Sequence, residues 1–446
     1  MTSPWARWFP AALVVVLAAR LGFAALVYER PNLSVANDSD RYIPIANAIL
    51  SGQAYAWDRD RPGELLNTIG YPLFLAGVFS TLGRQLGDIA LAQLMVSGIL
   101  ALNVFAALVR RLGVRAALLS ATLILIDPLT ILWSMTILTE TLFAAALGTG
   151  AVLLANWAHS RRRSMLILAG LFVALAILVK PFAMLVAAVW GGAMLFMPPE
   201  TTVTKTERFW AGMRRGFLFA LPSILLIAPW FVRNGLLWDC PTLSSVDRVT
   251  MRDYMAAKVL AEAEHIDLSV VQSRLQADDP GVCPGETAKY WKIILDNPGI
   301  YARLHAAGTI PVLLGTNFDR WLQFFGAEYQ LPDLWRPYMD GGWTGLWSVI
   351  TEQVKAFPQG LGLLVGLTTY QLFLYILALI GIVATLRGTS TPGKWVVVAL
   401  TLAILVLVLS PGQGGHERFR VPVQPLLAIL AGYAMAAKGP VPDMRR

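Results

Sequence analysis

Charge is scarce in this chain of 446 residues: Lys, Arg, Asp and Glu together make up 14% of it, against 56% hydrophobic residues. A soluble domain needs far more charge on its water-facing surface, so that class is excluded and an integral membrane protein is expected. Cysteine is nearly absent, with only Cys240 and Cys283, which leaves room for one disulfide at most. Histidine is almost as rare, and His159, His265, His305 and His416 show no metal-ligand spacing. There is no Gly-Lys-Ser/Thr phosphate loop and no Gly-x-Gly-x-x-Gly between a strand and a helix, so nucleotide binding of those kinds is not supported. Internal repeats and low-complexity tracts are also lacking.

What the chain does have is long apolar runs. A membrane span takes roughly 20 mostly apolar residues, and about ten such runs occur: 10–28, 86–109, 115–133, 136–157, 164–180, 182–198, 216–234, 359–386, 394–410 and 420–437. The fold class expected is therefore all-α and polytopic. The first run has a weak positive flank and no clear small-residue cleavage site, so it reads as a span and not as a cleaved signal. With the N-terminus inside, inner segments hold Arg7, Arg110, Arg111, Arg115, Arg161 to Arg163, Lys205, Arg208, Arg214, Arg215, Arg387, Lys394, Lys438, Arg445 and Arg446. Outer cations such as Arg30, Arg41, Arg59 and Arg61 are interleaved with Glu29, Asp38, Asp40, Asp58, Asp60 and Glu64. The positive-inside rule then sets both termini on the cytoplasmic side of the plasma (inner) membrane. The net charge of +8 follows from topology and anionic inner-leaflet lipid, without a nucleic-acid partner.

This reading divides the chain into an N-terminal membrane module, 1–234, a cap, 235–358, and C-terminal spans, 359–446. Within the first, the outer loop 29–85 carries two stretches too short to span. Asp40 to Ser51 has helical apolar spacing and stops at Gly52, and Ile69 to Leu82 opens with Gly70-Tyr71-Pro72; both read as interfacial helices. The cap contains helical stretches at Met251 to Glu264 and Glu286 to Leu295, with Leu304 to Leu314 expected to dip into the membrane. Both cysteines fall in the cap, where an oxidising compartment allows them to pair; two free thiols are the alternative.

Ionisable residues then gather at outer span ends, where they are expensive and commonly mark a site or an ion pair. Asp38 and Asp40 stand two apart, so a helix points them in different directions and at most one serves as a base; Asp38 or Ser39 could equally cap the following helix. Glu140 opens the fourth run, either as a second acid or as a partner of the helix dipole. Lys180 and Arg233 close the fifth and seventh runs, as site cations or as headgroup anchors. Asp127-Pro128 reads as a structural helix end, while Arg20 lies mid-span with no partner legible. The segment from Gly412 through His416, Arg418 and Arg420 to Pro422 offers glycines for close approach and two arginines that could grip a phosphate.

The ordered set Asp38-Ser-Asp-Arg-Tyr42, Gly70-Tyr71-Pro72, Thr139-Glu140-Thr141, Lys180-Pro181, Pro229-Trp230-Phe231-Val232-Arg233-Asn234 and Arg418-Phe419-Arg420-Val421-Pro422 resembles the C-type glycosyltransferase superfamily. The resemblance is to the branch of the protein O-mannosyltransferases and the lipid A aminoarabinose transferase, and it covers nearly the whole chain. It implies sugar transfer from a polyprenyl-phosphate donor to a glycan, lipid or protein acceptor at the extracytoplasmic face. It also implies Asp38 as base, four residues before Tyr42, with Asp40 as the fallback and Glu140 as the second acid. Lys180, Arg233, His416, Arg418 and Arg420 become the donor-phosphate set, and a groove between spans would take the lipid tail. Some members of the superfamily use a divalent cation, but no carboxylate cage stands out here. A transporter or lipid flippase is the rival, and would be expected to show inverted repeats and midplane charges; a non-catalytic scaffold leaves the clustered acids without a reason.

Overall fold

The computed structural model describes residues 5–36, 38–54, 65–197, 204–279, 283, 287–326, 335–356, 360–388 and 390–436. The loop charges Asp58 to Glu64 and the Pro280-Gly281 break lie outside them. The described residues are helical and contain no strand, as an apolar chain requires when lipid offers no partner for backbone N–H and C=O groups.

The helices run α1 (Trp5–Glu29), α2 (Ser39–Leu50), α3 (Gly70–Thr81), α4 (Leu86–Leu112), α5 (Val114–Ile126), α6 (Pro128–Ser134), α7 (Glu140–Ser160), α8 (Arg163–Val179), α9 (Ala183–Phe196) and α10 (Lys205–Trp238). They continue with α11 (Val246–Val249), a π-helical turn over Thr250–Ala256, α12 (Ala257–Glu264), α13 (Leu268–Asp278), α14 (Thr287–Asp296), α15 (Pro298–Leu314) and α16 (Phe318–Phe324). Last come α17 (Trp335–Ala356), α18 (Leu361–Arg387), α19 (Thr391–Leu409), 3-10 turns over Glu417–Val423, and α20 (Gln424–Ala436).

Six helices among the described residues are long and apolar enough to cross a membrane: α4, α7, α10, α18, α19 and the unit running from Glu417 through α20. The ten-run expectation is thus redistributed. The run 115–133 is broken into α5 and α6, bent by 48°. The runs 164–180 and 182–198 become α8 and α9, of 17 and 14 residues, parted at Lys180-Pro181. Each is shorter than a straight crossing needs.

Proline chemistry explains the broken run and the buried arginine together. Pro128 has no N–H, so the Ile124 carbonyl loses its helical donor. Asp127 restarts the chain as the N-cap of α6, accepting the Thr130 N–H at 2.7 Å. Arg20, buried in α1, supplies the missing donors: its guanidinium donates to the carbonyls of Ile124 (3.3 Å), Leu125 (2.7 and 3.0 Å) and Leu94 (3.4 Å), and to Ser97 Oγ at 2.5 Å. A mid-span cation therefore caps a broken helix.

Small residues close the bundle. A Cβ at Gly170 of α8 would meet the Phe219 carbonyl of α10, and one at Gly381 of α18 would meet Leu430 of α20, the close approach that drives helix association in lipid. Trp190 and Trp395 donate across α9 and α19 to the Ala399 and Ala193 carbonyls at 3.1 and 2.9 Å.

The outer segments are tied to this bundle by buried polar contacts. Ser39 Oγ donates to the Ile137 carbonyl at 2.8 Å, and Ile137 N–H donates to the Ser34 carbonyl at 2.9 Å, which fixes α2 to the α6–α7 junction. Thr68 Oγ donates to the Val179 carbonyl at 3.1 Å, seating α3 on the end of α8. The cap has its own small core of Ala256, Ala257, Val271, Leu275 and Tyr290. It rests on the first outer loop through Ser244 and Ser245, which donate to the Leu66 and Leu65 carbonyls at 2.8 Å each, and Cys240 and Cys283 are joined by a disulfide. The expected dip of Leu304 to Leu314 is the second half of α15, which packs on the Gly412–Gly414 turn.

Two measurements check these ties. Arg20→Leu should lower unfolding stability in detergent by about 2–4 kcal/mol, because it orphans several buried carbonyls at once. A free-thiol count on the unfolded, unreduced protein should give zero, and reduction should cost about 2–4 kcal/mol.

Candidate functional site

Four charged side chains from four distant stretches meet at one end of the bundle. Asp38 precedes α2, and its carboxylate makes no capping hydrogen bond; its Oδ2 instead accepts from Arg418 Nη1 at 2.9 Å. Arg418 Nε lies 3.8 Å from Glu140 Oε1, and the same oxygen accepts from Lys180 Nζ at 3.0 Å. The order is carboxylate, guanidinium, carboxylate, ammonium. Glu140 is 2% exposed, at the first turn of α7 where the helix dipole favours negative charge. Phe419 floors the cluster, its ring 4.7 Å from Lys180 Nζ and 5.3 Å from the Arg418 guanidinium, in the range where a ring face attracts a cation.

Tyr42, one turn beyond Asp38 on α2, meets Tyr71 edge to face at 4.9 Å. Tyr71 is fully buried and donates to Gln93 Oε1 at 2.9 Å, and Gln93 in turn donates to the Ser134 and Thr136 carbonyls. Burial, with the carboxylates of Glu140 and Asp38 beside it, pushes the Tyr42 hydroxyl above its ordinary value. It stays protonated and able to donate.

Helix rotation sorts the remaining candidates. Asp40 sits on the outward face of α2 and is exposed, so of the two acids only Asp38 reaches the cluster. Arg418 and Arg420 are parted in the same way, which corrects the expectation that both grip one phosphate. In 3-10 turns each residue rotates by a third of a circle, so two side chains two apart point to different sides. Arg420 is 2% exposed and donates to the carbonyls of Val312, Leu313 and Gly315 at 2.7, 2.7 and 2.6 Å. It fastens the end of α15 and leaves the donor-phosphate set. The glycines serve the same joint, since a Cβ at Gly415 would strike the Gly308 carbonyl.

Arg233, near the end of α10, lies between indole rings, 5.5 Å from Trp230 and 4.9 Å from Trp238. His416 flanks the cluster: its Nδ1 accepts the Arg418 backbone N–H at 3.2 Å and its ring meets Trp133 edge to face at 5.8 Å. Burial lowers His416 below its ordinary value, which keeps the ring neutral near pH 7. Two residues that sequence reasoning passed over stand here as well. Trp133 is 3% exposed, and Arg320 of α16 lies 5.0 Å over its ring. Arg320 falls in the cap, away from any apolar run end, so no positional signal marked it. Among the described residues, no group of three or more His, Cys, Asp or Glu is placed to hold a metal ion.

Residues 66–227 match the family described as dolichyl-phosphate-mannose-protein mannosyltransferase, within the superfamily that the motifs resemble. Among curated proteins no match is found. The chain is similar to the archaeal oligosaccharyltransferase AglB from Archaeoglobus fulgidus in complex with an inhibitory peptide and a dolichol-phosphate, at 14% identity and a TM-score of 0.48, over 95% of this chain and 50% of that one. The Archaeoglobus fulgidus oligosaccharyltransferase in the apo form gives 13% identity and 0.46, over 94% and 50%. The chain thus spans about half the length of these solved structures. The family match covers residues 66–227 of 446, and the apolar helices make this a multi-pass membrane protein.

Glu140 and Asp40 separate the buried cluster from its surface neighbour in a direct comparison. Glu140→Gln should destabilise the fold by about 2–4 kcal/mol, because it strands Lys180 beside a neutral group and takes one of two carboxylates from Arg418. Asp40→Asn should stay within about 0.5 kcal/mol, as exposed substitutions do; chemical denaturation of both variants reads the difference.

Proposed function

We propose that this protein transfers a sugar from a polyprenyl-phosphate donor to an acceptor hydroxyl at the extracytoplasmic face of the plasma (inner) membrane, with both termini cytoplasmic. The observation that carries this reading is the position of Arg418, bonded to Asp38 at 2.9 Å and facing Glu140 at 3.8 Å, with Lys180 on the other side of Glu140. A candidate base and two candidate phosphate cations share one cluster. The family name matched over residues 66–227 points to the same donor class.

The chemistry needs little else. A polyprenyl-phosphate sugar brings its own leaving group, so the enzyme must take a proton from the acceptor and stabilise charge growing on the phosphate. The acceptor oxygen forms a bond to the anomeric carbon, and the bond from that carbon to the phosphate oxygen breaks. The electron pair leaves with the phosphate and the proton goes to Asp38. Attack opposite the leaving group inverts the anomeric centre. Lys180 and Arg418 receive the phosphate, while Glu140, buried between them, holds both cations in position. The lipid tail lies along a groove between spans, and the 235–358 cap selects among glycan, lipid and protein acceptors.

A transporter would need charges along a midplane pathway, whereas these gather at helix ends. Asp38→Asn should cut sugar transfer by about 10²-fold to 10⁴-fold with donor binding retained, and Asp40→Asn should leave turnover near normal. Normal turnover in Asp38→Asn, assayed with a polyprenyl-phosphate sugar, would remove Asp38 as base.

A further inference from the structure

With Arg420 committed to carbonyls, the proposed donor phosphate has lost one of its expected ligands, and a different guanidinium is linked to Arg418 through the rings of Trp133 and His416. Three N–H donors on a connected wall have no hydrogen-bond partner: Nε of Arg418, Nε of Arg320 and the indole Nε1 of Trp133. The wall is continuous. Arg320 lies 5.0 Å over the Trp133 ring, Trp133 meets the His416 ring at 5.8 Å, and His416 Nδ1 accepts the Arg418 N–H at 3.2 Å.

Arg320 is held in place without being neutralised. Its Nη2 donates to the Leu33 carbonyl at 3.2 Å and to Thr136 Oγ at 3.0 Å, and no carboxylate pairs with it among the described residues. Burial first, and the charge of Arg418 as well, work against its positive form, with Asp319 acting in its favour. Arg418 is paired with Asp38 and Arg320 is not, yet each guanidinium keeps a buried Nε–H without an acceptor, a need that an anion meets. Guanidinium forks also match the paired oxygens of a phosphate better than an ammonium does. Trp133, almost fully buried with an orphaned N–H, has the same unmet need for an acceptor.

We infer that Arg320, together with Arg418 and the indole N–H of Trp133, forms the subsite for the phosphate of the lipid carrier, a diester in the sugar donor and a monoester once the sugar has left. This rests on the transferase reading and deepens it: Arg320 takes the place first assigned to Arg420, and the cap thereby contributes a ligand to the donor as well as contacts to the acceptor.

The test measures binding of polyprenyl monophosphate, the uncharged polyprenol and phosphatidic acid to the full-length protein in detergent. The native protein should bind polyprenyl monophosphate well above polyprenol. Arg320→Gln should weaken the monophosphate by about tenfold while leaving polyprenol binding unchanged, the effect of removing one charge-assisted donor. Arg320→Lys, which keeps the charge, should lose less, and Trp133→Phe, which keeps the ring and removes the N–H, should lose a few-fold. A role limited to bracing Leu33 and Thr136 would lower the melting temperature of Arg320→Gln yet keep the ratio of monophosphate to polyprenol affinity, and that result would overturn the assignment. Equal competition by phosphatidic acid would make the wall a headgroup site and overturn it as well. If the native protein fails to prefer the monophosphate over polyprenol, the transferase reading falls and takes this subsite with it. If the preference holds and survives Arg320→Gln intact, only the subsite falls.

Discussion

The ion pair between Arg418 and Asp38 is the contact on which the rest of this molecule turns. It joins the start of α2, the first element after the opening span, to the 3-10 turns before the last helix, 380 positions later. Ala36 and Tyr42 join the two stretches a second time, by packing on the cluster that holds Val421. Glu140 and Lys180 extend the pair sideways to α7 and α8, so four helix termini share one alternating string of charge. In an apolar surrounding such a string is held firmly, because each charge that loses its neighbour is left in a poor solvent.

The 3-10 geometry of Glu417–Val423 gives that string its second function. Arg418 and Arg420 lie two residues apart and point different ways, one to the carboxylates and one to the end of α15. The arginine that faces the site can turn toward an incoming group, because the backbone beneath it is clamped by the arginine that does not. Close contacts at Gly308 and Gly415, and the bond from Lys258 Nζ to the Gln413 carbonyl at 3.0 Å, clamp the same stretch from the cap. A change in how the cap sits would therefore be felt at Arg418 before it is felt at Asp38.

How much of this was legible in the sequence depends on which period governed each stretch. The all-helical membrane fold, the short helices of the first outer loop and the meeting of Asp38, Glu140, Lys180 and Arg418 follow from apolar runs and from the residues at their ends. The separation of Asp38 from Asp40 follows from helical rotation. The different directions of Arg418 and Arg420 were not legible, because their spacing was read without the 3-10 turns that set them. The partner of Arg20 was hidden for a different reason: it is a set of carbonyls, 105 positions away at Leu125, freed by a proline. A sequence shows which donors are missing near Pro128, but not which distant side chain supplies them. Arg320 was invisible for a third reason, since its place depends on how the cap lies over Trp133.

The alternating order of charge also bears on the proposed reaction. Arg418 Nη1 occupies a lone pair of Asp38 Oδ2, one that a base needs. The donor's phosphodiester carries one negative charge, as Asp38 does, but more charge grows on its oxygens as the bond to the sugar breaks. On the proposed reading its arrival draws the guanidinium away and leaves Asp38 open toward the acceptor hydroxyl. Glu140 is what keeps this exchange local. On the same reading Glu140, buried and paired with Lys180, keeps a carboxylate beside Arg418 whichever anion the guanidinium faces. A base that is released only when the leaving group is in place would limit wasteful reaction with water, and the same few residues supply both parts.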